Sequence, residues 1–360
     1  MSVYLVNVVL ILFWDFVFSI NNRNKVKRAW FCIIVAVQWI VVSGLRAVTI
    51  GADTLNYYIS FSRTAHVSWY TVFDSLYKVY IEGYKPVTSD GNFLYKDPGY
   101  LLFQKICHIF TDDYHVYLVI VAVIIFGLMA RFIYKHSEDP CFSYILFSSL
   151  FYSFFAITGT RQALATALVL FIGFDFIKER KLFKFILVSI LAFVLHKSAI
   201  VFVPFYLLGA IKINWKYIGV VLVFTGSVFI AGPQFILRVA ELLGYSRDEV
   251  YELPPYMYVA AIVVVALAVV ILHKRMLDIS EDKKWEITGT LLAASFSIFA
   301  LIDQSIMRVQ QYYSLFMMLS IPSFLELFER RSKVLVRFAF IGVLILYLIR
   351  NNPKYRFFWQ

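Results

Sequence analysis

Charge is what this chain has least of. Only 16% of its 360 residues are Asp, Glu, Lys or Arg, against 61% hydrophobic and 19% aromatic. A soluble domain has too little polar surface to cover that much apolar material, which excludes a soluble enzyme or binding module. Cysteine is nearly missing as well. Cys32, Cys107 and Cys141 fall in separate segments, which excludes a disulfide framework and any CxxC zinc site. Acids number 23 against 34 Lys and Arg, for a net charge of +11. In a soluble protein that excess would suggest nucleic acid; here it reads as a topology signal, and no nucleic-acid partner is expected. The chain lacks DxD, HExxH, GxSxG, Walker A and GxGxxG patterns. Nothing points to ATP, a nicotinamide cofactor or a heme, so no cofactor and no metal ligand set is expected. Repeats, low-complexity tracts and soluble appended domains are missing too, which leaves a single integral membrane domain over 1–360.

What the chain has instead is long apolar runs and a mean hydropathy of +0.74. A span needs roughly 20 apolar residues. The runs predict an all-α polytopic membrane helical bundle of about twelve spans, from 3–20 to 334–349. The first run lacks a basic leader and a small-residue cleavage site, so it reads as a retained span rather than a signal peptide. Two runs, 185–195 and 199–211, are short and separated by His196-Lys197-Ser198. With the N-terminus outside, most Lys and Arg fall in the inner connectors 21–28, 131–140, 178–184, 212–216, 273–285 and 329–337. Fusing the two short runs would move Lys274, Arg275, Arg330 and Arg331 outside. A break at 196–198 is therefore expected, as two half-spans or a re-entrant pair, with both termini outward.

The large extramembrane element is the outer segment 46–115, rich in Tyr, Phe and Trp. Asp53-Thr54 reads as the start of a helix running toward Tyr80, with Phe61, Val72, Phe73, Leu76 and Tyr80 at apolar positions. Ser89-Asp90-Gly91-Asn92 is a turn signal. Asp97-Pro98 reads as an N-cap followed by proline at the first helical position. The helix it starts puts Leu102, Phe103, Ile106, Ile109 and Phe110 on one side, which suits a helix lying in the interface. Two readings of the segment stay open: a lid that gives an amphiphilic substrate a lateral entrance, or a plug for the bundle. A second outer loop, 237–255, carries mixed charge and Pro254-Pro255. Asp112-Asp113-Tyr114-His115 reads as a cap for the third span in preference to a metal cluster.

The orientation gathers an unusual polar set on one side: Arg46, Asp53, Asp97, Arg161, Gln162, His196, Ser198, Asp303 and Arg308. Arg161 is the hardest to explain. It follows Thr158-Gly159-Thr160 in a connector too short to carry the guanidinium away from the membrane. A charge held at that depth costs at least ~2.5 kcal/mol, so it needs a partner or a role. A structural pair with an acid such as Asp303 is one reading; anion binding is the other. Arg46 reads as an interface arginine or a phosphate contact, Tyr57 and Tyr100 as interface anchors or substrate contacts. Arg308, one turn before Tyr312, sits at a helix start where positive charge opposes the dipole, which favours a bound anion. Two or three such guanidiniums suit a phosphate or diphosphate. His196 is either structural or a general base, a role imidazole suits near neutral pH. The acids near the inner boundary, Asp15, Asp175 and Glu326, read as helical ion-pair partners, Asp175 with Lys178 and Glu326 with Arg330.

At these residues the chain resembles the EpsG-like family of Wzy-type bacterial polysaccharide polymerases. The matching pieces are Gly44-Leu45-Arg46, then Ile50-Gly51-Ala52-Asp53-Thr54 with Tyr57, then Asp97-Pro98-Gly99-Tyr100. Thr160-Arg161-Gln162-Ala163-Leu164-Ala165 and His196-Lys197-Ser198-Ala199 follow, with weaker agreement at Arg308 and Tyr312. Asp97 stands where the family usually has Glu. The resemblance implies a glycosyltransferase at the outer face of the bacterial cytoplasmic membrane. It would join oligosaccharide repeat units carried on undecaprenyl diphosphate into capsule, exopolysaccharide or O-antigen, with membrane lipid around it and flippase and chain-length regulator proteins as candidate partners. In that setting Arg161, Arg308 and Arg46 would hold the diphosphate, and His196 would take the acceptor hydroxyl's proton. Asp53 or Asp97 would bind sugar hydroxyls or orient the base, with Tyr57, Tyr100, Gln162, Ser198 and Tyr312 at the substrate. A transporter of lipid-linked oligosaccharide and an O-antigen ligase are the alternatives; a transporter predicts polar residues through the bundle and toward both faces.

Overall fold

Apolar side chains all around a segment leave the backbone no solvent to bond to, so such segments satisfy their amides internally as helices. The computed structural model describes residues 2–18, 24–82, 97–232, 256–302, 306–351 and 354–360, with 234, 235 and 238. Among them every extended element is a helix, and the β contact is an isolated bridge between Arg46 and Phe357. The turn at 89–92, nearly all of the loop 237–255, and Asp303 lie outside the described residues.

The helices are α1 (Val3–Phe18), α2 (Lys25–Gly44), α3 (Thr54–Thr64), α4 (Trp69–Tyr80), α5 (Pro98–Cys107) and α6 (Tyr114–His136). Next come α7 (Pro140–Phe151), α8 (Thr160–Lys178), α9 (Leu182–Leu195), α10 (Lys197–Leu208) and α11 (Trp215–Ala231). The chain closes with α12 (Tyr256–Ile279), α13 (Lys283–Phe299), α14 (Ile306–Ser314), α15 (Met317–Leu325) and α16 (Arg330–Arg350). Five of these, α2, α6, α8, α12 and α16, are long and apolar enough to cross a membrane, and several others are shorter apolar helices. The protein is therefore an all-helical membrane protein. Trp39 of α2 ties the core together, stacking on Phe126 of α6 at 5.8 Å and meeting Phe147 of α7 edge-on at 5.1 Å.

Segment 46–115 differs from the single helix expected toward Tyr80. It is two helices, α3 and α4, separated at Ala65–Ser68, and Ser68 caps the second by accepting from the Thr71 amide at 3.1 Å. Ile106 on α5, and Ile109 and Phe110 in the turn just after it, are exposed, while Tyr100, Leu101, Gln104 and Cys107 face inward. Asp113 caps α6 as the sequence suggests, accepting from the His115 and Val116 amides at 2.6 and 3.2 Å. Asp113→Ala is expected to cost about 1 kcal/mol of stability; a thermal midpoint unchanged from wild type would show the cap to be idle.

Two ends of the bundle are chemically distinct. At one, buried or half-buried ions pair across helices. Asp175 of α8 accepts from Arg131, from Lys135 at 2.9 Å and from His136 at 2.8 Å, all on α6. Arg337 bonds Asp139 at 2.7 Å and Asp15 at 3.0 Å. Lys283 bonds Glu138 at 2.6 Å and Glu286 at 3.1 Å. The partners expected within single helices are thus replaced: Lys178 pairs with Asp282 at 2.8 Å, and Glu326 with Lys333. A surface i,i+4 pair contributes about 0.3–0.5 kcal/mol, too little to compete with a buried acid's need for several donors. Buried charge is therefore not confined to one end. At the other end lie the C-terminus of α2, the starts of α6, α8 and α14, and the α9–α10 break. Tyr4 and Tyr355 also meet there, with ring centroids 5.5 Å apart.

Candidate active site

Three local breaks deliver the side chains of the second end. The first is a turn at Gly51, whose φ of +99° glycine tolerates without strain, and which sits beneath Ile157. It starts α3, with Thr54 bonded to the Ile50 carbonyl at 2.6 Å and to the Ile157 carbonyl at 3.3 Å. The second is Gly159, between α7 and α8. The chain runs there through π-helical turns at Phe147–Phe151 and Ser153–Thr158, and again at Ala167–Ile172 inside α8. Wide turns of this kind mark functional stretches of helices. The third is His196 itself, in extended conformation between α9 and a 3-10 turn over Lys197–Phe202. The break expected at 196–198 is present.

These breaks bring Arg161, Asp97 and His196 together. Oδ2 of Asp97 accepts from Arg161 Nη1 at 2.9 Å and from His196 Nδ1 at 3.1 Å. The Asp97 side chain is 3% exposed and that of Arg161 14%. So Asp97, expected as a cap for α5, makes no side-chain cap bond; its carboxylate turns to Arg161 and His196 instead. Arg161 lies in the first turn of α8, where a cation opposes the helix dipole, and Asp97 offsets both that and the cost of burial. Because Nδ1 donates to the carboxylate, Nε2 of a neutral His196 carries the lone pair. Nε2 is buried and has no hydrogen-bond partner among the described residues.

The Arg161 guanidinium also lies over two rings, 5.7 Å from the centroid of Tyr57 and 5.9 Å from that of Tyr100. Tyr100 shares a 2.7 Å hydroxyl bond with Tyr117, which in turn stacks on Phe61 at 4.4 Å. Burial pushes the Tyr57 and Tyr100 phenols above their ordinary range, and Arg161 only partly offsets it. Both phenols stay protonated near neutral pH and serve as donors and ring faces, not as bases. A small open pocket adjoins them, lined by Asp53, Asn56, Tyr57, Ser60, Tyr100 and Arg161.

The other residues expected at the site stand around this centre. Gln162 is buried and donates to the main-chain carbonyl of Arg308. Ser198 and Tyr312, both buried, share a 2.9 Å hydroxyl bond. Arg46 is buried, bonds the Ser43 carbonyl, and has Tyr114, Tyr355 and Tyr4 near enough to act on its charge. Neither Arg46 nor Arg308 lines the pocket, so the cluster of guanidiniums expected there is not what the pocket presents. Asp53 lines it, at the start of α3. Asn56 and Ser60 escaped the sequence reading. The signal was available: 53, 56, 57 and 60 share one face of a helix.

The model of the EpsG family matches residues 29–359, which include the Arg161–Asp97–His196 centre and the whole lining of the pocket. The chain belongs to the EpsG family. EpsG proteins are Wzy-type polysaccharide polymerases, so the Arg161–Asp97–His196 centre lies in a membrane polymerase of glycosyltransferase type. No curated protein and no solved structure matches the chain.

Proposed function

We propose that this EpsG-family protein joins oligosaccharide repeat units carried on a polyprenyl diphosphate, undecaprenyl diphosphate in a bacterial membrane, and works at the outer face of the cytoplasmic membrane. The observation that carries the reading is the single Asp97 oxygen shared by Arg161 and His196 beside an open pocket. In the transfer, His196 Nε2 takes the proton of the acceptor hydroxyl. The hydroxyl oxygen bonds to the anomeric carbon of the donor's growing chain, and the bond from that carbon to the lipid diphosphate breaks. Asp97 holds the imidazole and offsets the charge it gains. Arg161 anchors Asp97 by its 2.9 Å bond and so fixes the carboxylate that orients the imidazole. The exposed apolar side chains Ile106, Ile109 and Phe110 at and just beyond the end of α5, with Leu55, Tyr58 and Ile59 on α3, support the lid reading, in which a lipid-borne substrate reaches the pocket along the interface.

A transporter is the second reading, favoured by the buried ions at the opposite end of the bundle. Those ions are paired with one another across α1, α6, α7, α8, α13 and α16, the pattern of structural clamps. Purified protein given lipid-linked repeat units, with no nucleotide sugar, decides between the two. The proposal expects a ladder of products; unchanged lipid that nonetheless crosses vesicle membranes would replace it with transport. In a polymerase-deleted strain, Arg161→Lys is expected to restore little more polymer than Arg161→Ala. An ammonium keeps the charge but not the planar fork between Asp97 and the two rings. Full-length polymer from the lysine variant would reduce Arg161 to a point charge.

A further inference from the structure

The face of α3 that lines the pocket carries chemistry different from what a diphosphate needs. Nη1 of Arg161 is already bonded to Asp97 at 2.9 Å. The carboxylate of Asp53 lines the same space. The Ser60 hydroxyl donates to Gln104 Oε1 at 3.0 Å, so its oxygen is left to accept. A diphosphate at neutral pH brings acceptors and negative charge. It would meet an acid and a hydroxyl oxygen with nothing to donate to either. A sugar hydroxyl both donates and accepts. Asp53 and Ser60 suit its hydrogens, Asn56 offers an amide in both senses, and Tyr57 and Tyr100 offer neutral phenols and ring faces for sugar C–H groups.

From this we infer that the pocket between α3 and Arg161 is a saccharide subsite, read by Asp53, Asn56 and Ser60, and that the lipid diphosphate is held elsewhere. The inference rests on the polymerase reading for what the saccharide is, the reducing or acceptor end of a repeat unit, but not for its chemical class. Asn56 is exposed and Ser60 half-exposed, so both can be replaced without opening the core. They are specificity-determining residues of the transfer, distinct from the Asp97–His196 pair that handles the proton.

The test uses the full chain in detergent. The probe is the repeat-unit oligosaccharide released from its lipid by mild acid and freed of phosphate, with inorganic pyrophosphate as competitor. Calorimetry is expected to show the oligosaccharide binding to wild type, and Asn56→Ala and Ser60→Ala each weakening it by up to roughly tenfold, the equivalent of one hydrogen bond. Pyrophosphate is expected not to displace it. In polymerisation from lipid-linked units, the same variants are expected to raise KM for the acceptor with kcat close to wild type. Oligosaccharide that fails to bind, that binds both variants as tightly as wild type, or that pyrophosphate displaces would overturn the inference. A wild-type protein that binds the oligosaccharide through Asn56 yet makes no polymer would sink the polymerase reading and leave the pocket standing. Polymer made by both variants with unchanged KM would do the reverse.

Discussion

Alanine at position 196 is expected to lower polymer formation by about 10²–10⁴-fold, the usual contribution of a positioned general base, with folded protein in the membrane near the wild-type amount. The two halves of that expectation come from the two ring nitrogens. Nε2 is buried without a partner among the described residues, so its loss removes a proton acceptor and breaks no bond among them. Nδ1 contributes one bond to Asp97, at 3.1 Å, and Asp97 keeps its 2.9 Å bond to Arg161 when the ring is gone. The buried acid therefore stays compensated, and the several-kcal/mol penalty for stranding a buried charge does not arise. Asp97→Ala is the contrasting case. It leaves Arg161 in the first turn of α8 with its carboxylate removed, and protein abundance is expected to fall along with activity. The comparison needs polymer length on a gel and membrane abundance by blot, side by side. Normal-length polymer from His196→Ala at normal abundance would mean that the acceptor's proton goes elsewhere.

The parts of this centre were visible in the sequence as single residues, because a charge in a connector of a few residues between apolar runs has nowhere inexpensive to go. Arg161 announced itself that way, and the charge distribution over the connectors exposed the break at His196. What sequence could not supply was the partner. Asp97 is 64 positions from Arg161 and 99 from His196, and it looked like a helix cap because Asp-Pro is a good helix start. The helix does start at Pro98, but a carboxylate with a buried guanidinium and an imidazole N–H in reach binds them in preference to a backbone amide. Ion pairs at the opposite end misled for the same reason. Spacing along one helix identifies neighbours on its surface, whereas Asp175 is buried and takes its donors from α6. Arg46, at a span end, was read as an interface arginine or a phosphate contact. Its guanidinium instead joins the end of α2 to a tyrosine-lined layer that includes Tyr355 from far along the chain. Long-range docking of short helices onto the bundle is what decides these pairings, and no period in the sequence encodes it.

That docking depends on one atom that is missing, which yields the second large effect. Gly99→Ala is expected to lower polymerisation about 100-fold, since a misplacement of about 1 Å at a reacting centre costs that much. A Cβ built at position 99 would lie 2.2 Å from the carbonyl oxygen of Val194, 2.3 Å from its Cγ1 and 2.5 Å from its carbonyl carbon. Two of those three atoms are backbone, so no rotamer change relieves the contact, and α5 must back away from the end of α9. Asp97 lies two residues before Gly99 and His196 two after Val194. The contact that keeps glycine at 99 therefore also sets the 3.1 Å Asp97–His196 bond. Tyr80 reinforces the same seam by donating to the Val194 carbonyl at 2.8 Å. Overpacking of this kind costs about 1–3 kcal/mol, enough to shift a seam between α5 and α9 but not to unfold a bundle of this size. Circular dichroism is therefore expected to show normal helix content beside the lost activity. Val194→Ala alone removes only the Cγ1 contact, so it is expected to be mild and to leave Gly99→Ala unrescued in the double variant. Rescue by Val194→Ala would place the clash in the side chain and detach the backbone seam from catalysis.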